Sequence, residues 1–142
     1  MKTKMEKFKI LAEFIKDISS ETKDIQTYLF VKDYISKYQL TIDIRTKPTK
    51  NKLVEVSTIL KFHDKNENPK KSYFELDYIT IVKINEDVKE KKEIEKILLC
   101  ELQKKIQPRI EKAFTDLINN SGFEQASITN IDFDKLYNSR SN

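Results

Sequence analysis

Apolar and polar residues alternate in four separate runs of the chain, the pattern of strands with one covered face. In residues 8–18, FKILAEFIKDI, the alternation puts Phe8, Ile10, Ala12, Phe14 and Ile18 together. The corresponding faces are Leu40, Ile42 and Ile44 in residues 39–45, and Val54, Val56, Thr58, Leu60 and Phe62 in residues 52–63. Residues 72–84 supply Phe74, Leu76, Tyr78, Val82 and Ile84. The segments KPTKNK and KNENPKK carry turn-forming Pro and Asn between the last three runs, which predicts an antiparallel meander. Residues 19–38 join the first two runs without Gly or Pro and suit a crossover to the far side of the sheet.

After Asn85 the period lengthens. Ile94, Ile97, Leu98, Leu102, Ile106, Ile110, Phe114 and Ile118 recur at three and four residues, a helical stripe with Asn85 or Asp87 available as cap. Pro108 lies inside the stripe and predicts a kink near Gln107, because its ring clashes with the preceding turn and it has no N–H to donate. The only glycine, Gly122, follows the stripe as a left-handed helix stop, with Phe123 placed to pack back on Leu117 or Ile118. Residues 124–130 read as a loop. Ile131, Phe133, Leu136 and Tyr137 then predict a short second helix capped by Asn130 or Asp132. The long stripe is wider than one side of a four-stranded sheet needs, which implies self-association through Ile94, Leu98, Leu102 and Ile106.

The second face of the strands collects Glu13, Asp17, Asp43, Glu55, Glu75 and Asp77 among Leu11, Ile15, Ile59, Tyr73, Ile79 and Ile81. A mixed acidic and apolar sheet face suits docking of a basic partner. The chain as a whole is basic, at +4, but its lysines gather at turns and on a mixed-charge helix start, so they read as solvated tips rather than a nucleic-acid face.

Composition fixes the class. The 142 residues, 38% hydrophobic and 35% charged, fit one folded domain over residues 1–142. Lys9 and Glu13 interrupt the first apolar run before a secretory segment could form, and no run is long enough to span a membrane, so the expectation is a cytoplasmic protein without membrane insertion. One Cys and one His, Cys100 and His63, sit on different predicted elements and suggest neither a nucleophile–base pair nor a metal site. A chain with one glycine has no phosphate-cradling loop, and its acids are spread over several strands. The reading is a binding protein, not an enzyme, with no cofactor or metal.

The order of elements, with the segments FIKDISSE, YFELDYITIVKI, PRIEKAF and above all GFEQASITNIDFDKLY, resembles the SecB family of protein-export chaperones over nearly the whole chain. The resemblance implies an α+β fold: a four-stranded antiparallel sheet with a long crossover after its first strand, covered by a long Pro-kinked helix and a short C-terminal helix. It further implies a homotetramer, a dimer of dimers, that holds unfolded preproteins without ATP or metal and passes them to the motor SecA. On that resemblance Asp17, Glu21, Tyr73 and Glu75 would meet SecA. Tyr28, Leu29, Phe30, Tyr34, Phe74, Tyr78 and Phe123 would line apolar grooves for clients, with the loop and stub before the last helix as a movable wall. The basic balance of this chain leaves two alternatives: a SecB-like chaperone serving another partner, as in toxin–antitoxin variants, or a basic nucleic-acid-binding module.

Overall fold

In a computed structural model describing residues 6–66, 68–124, 126, 128 and 131–141, the four runs form one antiparallel sheet. The strands are β1 (Phe8–Thr22), β2 (Gln39–Pro48), β3 (Leu53–His63) and β4 (Ser72–Ile84), arranged β1-β4-β3-β2, so that β1 and β2 are the edges. The meander is as the turns predict, and the crossover lands β1 beside β4.

That crossover contains an element the alternation did not reveal, helix α1 (Ile25–Tyr34). Asp24 caps it, its Oδ1 accepting from Thr27 N at 2.8 Å, and Val31 and Ile35 anchor it in the core. The cap and the spacing of Tyr28, Val31 and Ile35 were the available signal. Tyr38 closes the crossover: its hydroxyl accepts from Ser72 N at 2.9 Å and donates to Ser72 O at 3.1 Å.

One face of the sheet is covered by α2 (Lys91–Lys96), a widened π turn (Ile97–Glu101) and α3 (Leu102–Asn120). Leu102, Ile106, Ile110, Phe114 and Ile118, four residues apart, are fully buried with Val56, Leu60, Leu76 and Val82 of the sheet. The helix starts at Lys91 without a side-chain cap, while Asn85 Oδ1 accepts from Asp87 N in the preceding turn, so neither proposed cap acts as one. Nor does Pro108 split the helix. α3 runs through it, and the departure from α geometry is the π turn upstream, where the buried Gln103 side chain accepts from Thr58 Oγ1 at 2.9 Å and donates to Leu98 O at 3.1 Å.

Two bulges correct the reading of β1. Pairing with β4 shifts between Ile10 and Ala12 and again between Ile15 and Asp17, so Ala12 and Phe14 turn to the open face while Glu13 and Ile15 turn to the helix face. After Asp17 the expected alternation resumes. Glu13 therefore leaves the acidic face: it pairs with Arg109 of α3 and accepts from Tyr78 OH at 2.8 Å.

Candidate binding surfaces

The open face of the sheet carries the acids. Across one row, Asp43 faces Ile59, Ile59 faces Asp77, and Asp77 faces Asp17. Asp17 and Asp77, opposed on neighbouring strands, concentrate negative charge on this face, and Asp77 Oδ1 accepts from Ser57 Oγ at 2.5 Å. Next to this row lie Glu75 opposite Ser19 and exposed Tyr73 opposite Glu21. The four residues expected to receive a basic partner, Asp17, Glu21, Tyr73 and Glu75, thus share one face of β1 and β4. Lys61 approaches Glu75 at 4.0 Å and Arg45 pairs with Asp43 at 2.9 Å, both pairs exposed and weak.

Apolar side chains are open along the β1 edge and on α1. Leu11, Phe14, Ile15 and Ile18 are exposed on the edge strand β1, and Ile25, Leu29 and Phe30 on α1, with Leu29 55% accessible. Such large side chains cost free energy in water, at roughly 25 cal/mol per Å² of apolar surface, and their clustering on two neighbouring elements marks a contact surface. Of the seven residues expected to line a groove, only Leu29 and Phe30 are exposed. Tyr28 and Tyr34 are half-buried: Tyr28 OH donates to Gly122 O at 2.8 Å, and Tyr34 stacks on Phe30 with centroids 5.5 Å apart. Phe74, Tyr78 and Phe123 are core residues. Phe74 and Phe123 meet edge to face, their centroids 5.6 Å apart, because the crossover and the glycine turn close over them. The alternation places Phe14 on the covered face, from which the bulge turns it; Ile18 keeps its expected face but lies open at the sheet edge, and Ile25 is not among the residues expected on this surface. The spacing of Ile25 and Leu29 could have signalled the α1 face, whereas nothing local encodes the β1 bulges.

The residues assigned to self-association are corrected in the same way. Leu98, Leu102 and Ile106 are buried under the chain's own sheet, and Ile94 alone of the four is partly open. Among the surfaces open to a second copy is the outer edge of β1 with Ile15 and Ile18.

The C-terminal segment is strapped along α3. Thr115 Oγ1 accepts from Ile128 N at 2.9 Å and donates to Ile128 O at 3.2 Å, and Gln107 and Glu111 hold the backbone of Ile131. Helix α4 (Phe133–Ser141) follows, capped by Asp132 Oδ1 accepting from Lys135 N at 3.0 Å; the other expected cap, Asn130, lies outside the described residues. Buried Phe133 and a polar cluster dock it: Asp134 accepts from Cys100 Sγ at 2.7 Å and from Lys104 Nζ at 2.6 Å. Burial, then the bond to Asp134, pushes the Cys100 thiol up to about 11, which makes it a packing group rather than a nucleophile. Among the described residues no three His, Cys, Asp or Glu side chains are placed to hold a metal ion, and no helix is long and apolar enough to cross a membrane.

Comparison with known proteins agrees with this architecture. The family described as "Preprotein translocase subunit SecB" matches residues 1–142. A "Putative protein-export protein SecB" of Pelagibacter ubique (strain HTCC1062) is 50% identical over 138 residues, covering 96% of this chain and 99% of the relative. Among solved structures, the SecB-like chaperone of Mycobacterium tuberculosis, in complex with a ChAD peptide from an antitoxin, superposes with a TM-score of 0.62 at 10% identity, covering 89% of this chain and 91% of that one.

Proposed function

Because the chain belongs to the SecB family of protein-export chaperones, we propose that it is an ATP-independent holdase, which binds unfolded secretory precursors in the cytoplasm and delivers them to SecA. The observation that supports holding is the set of large apolar side chains left open on α1, Ile25, Leu29 and Phe30. An extended precursor segment laid over Ile25, Leu29 and Phe30 removes apolar surface from water on both partners without demanding a particular sequence. Each contact is modest. A homotetramer, built as a dimer of dimers around the open edge of β1, would make successive contacts intramolecular and raise avidity.

Delivery rests on the acidic face. Basic groups of SecA would meet the negative charge concentrated at Asp17 and Asp77 and that of Glu21 and Glu75, with Tyr73 as an amphipathic contact. Release of the client needs no bond chemistry in this reading, only competition for the chaperone. The toxin–antitoxin reading is supported only by a shared fold with a chaperone that binds an antitoxin peptide, whereas the half-identical relative carries an export name.

Two assays on one preparation test the proposal. Aggregation of a chemically unfolded precursor, followed by light scattering without nucleotide, should be suppressed by the native chain and much less by Leu29→Ser with Phe30→Ser. Native protein that fails to suppress aggregation sinks the holdase. Titration with the basic tail peptide of SecA should show affinity reduced about tenfold by Asp17→Lys with Glu75→Lys, while holding is retained. No binding of the tail, or equal binding by the variant, removes SecA and leaves the holdase.

A further inference from the structure

A cleft of about 580 Å³ opens at one end of the sheet, where the β2–β3 tip faces the connection between β4 and α2. Its floor is apolar: Pro48, Leu53, Val54, Ile84, Val88 and Ile94. Its charges are Lys52, Lys89 and Lys91 against a single acid, Glu95, and none of these lysines makes an ion pair among the described residues. The sequence separates these cations by more than thirty positions, in the tips KPTKNK and VKEKK; the fold brings them to one rim.

The rim is built at a cost. Asn51 and Lys52 both adopt left-handed backbone, with φ of 64° and 60°, a conformation that asparagine tolerates and that is unfavourable for lysine. In return Lys52 Nζ donates to Glu86 O at 3.2 Å, tying the hairpin tip to the β4–α2 connection and forming one wall of the cleft. Thr46 and Pro48, which also line it, belong to the edge strand β2. An extended polypeptide can use the open backbone groups of that edge, which a lipid chain cannot.

We propose that this cleft is a second polypeptide site, separate from the α1 face, which takes an extended apolar segment flanked by aspartates or glutamates. The proposal rests on the holdase reading and adds a client preference to it: acidic flanks are drawn to the lysine rim while the apolar core occupies the floor. Exposed charges in water act over about one Debye length, so the preference should be clear at low ionic strength and weak at high salt.

Three labelled peptides sharing one apolar core, with triple Asp, triple Ser or triple Lys flanks, test it by fluorescence anisotropy. At low salt the Asp-flanked peptide should bind at least about tenfold more tightly than the Lys-flanked one, and Lys89→Glu with Lys91→Glu should abolish or reverse that order. Both lysines are exposed, so the variant should fold, and Lys89→Ser with Lys91→Ser gives a milder check. Equal affinities, an order that survives in the variants, or no binding of any peptide overturns the proposal. So does a variant with lower oligomeric mass, which makes the cleft a self-interface, or lysine-dependent binding to phosphatidylglycerol vesicles without peptide preference. The precursor aggregation assay separates the two levels: suppression without peptide preference sinks this site alone, and loss of suppression by native protein sinks the holdase beneath it.

Discussion

Gly122 does two things at one position. Its φ of 101° ends α3, with Phe123 N donating back to Ile118 O at 3.2 Å, and its bare Cα leaves room for Tyr28, whose Cε1 would lie 2.7 Å from an added Cβ. The helix stop was legible in the sequence. The contact with Tyr28 was not, because it joins positions 94 apart. Gly122→Ala should therefore destabilise by roughly 1–3 kcal/mol in urea denaturation, more than a helix stop alone requires. Tyr78 and Cys100 give a second residue-scale test. Burial, then the bond to Glu13, raises the Tyr78 hydroxyl from 10 to about 12, and Cys100 is raised from 9 to about 11. Each is protonated more readily in the folded state, so its contribution is full below its unfolded pKa and is lost as pH rises through the folded one. Stability should fall between about pH 9 and 12, and Tyr78→Phe should flatten the upper part of that fall while lowering stability at pH 7 by about 1 kcal/mol. A variant with an unchanged alkaline slope would show that Tyr78 does not contribute.

At the scale of elements, strands and helices were readable wherever one periodicity held from end to end. β3 keeps strict alternation and matches, and β4 does so except at Ile79, which is buried beside Tyr78 and Thr80; the helical stripe matches as well, but its width serves the chain's own sheet, under which Leu98, Leu102 and Ile106 are buried. β1 failed where its register shifts, since the bulges around Leu11 and Lys16 depend on pairing with β4 rather than on neighbouring residues. The π turn was equally invisible. It is accompanied by one polar side chain inside the core, Gln103, whose amide reaches Thr58 on the sheet and Leu98 in the turn. Gln103→Leu keeps the volume and removes both bonds, stranding a buried hydroxyl and a carbonyl. The expected loss is about 2–4 kcal/mol, read from the urea midpoint. A loss below about 0.5 kcal/mol would mean that the turn holds without its amide.

For the molecule as a whole, the acidic face was visible as an alternation of charge except at Glu13, because the second β1 bulge restores the phase that the first one shifts and Asp17 again faces the same way as Glu75 and Asp77. The proposed client surface was half visible: Leu29 and Phe30 are exposed on α1, whereas Phe74, Tyr78 and Phe123 are enclosed by tertiary contacts that no local pattern announces. The proposed homotetramer should give a particle near four times the 16.9 kDa chain mass in light scattering, and Ile15→Asp with Ile18→Asp on the open β1 edge should reduce it. A single-chain mass for the native protein would remove the avidity argument. As a holdase, this chain should distinguish unfolded polypeptide from folded protein without nucleotide. The most direct measurement is anisotropy of one labelled precursor added either chemically unfolded or already folded. Micromolar or tighter binding of the unfolded form alone is the expected result; equal binding of both forms, or binding of neither, contradicts the account.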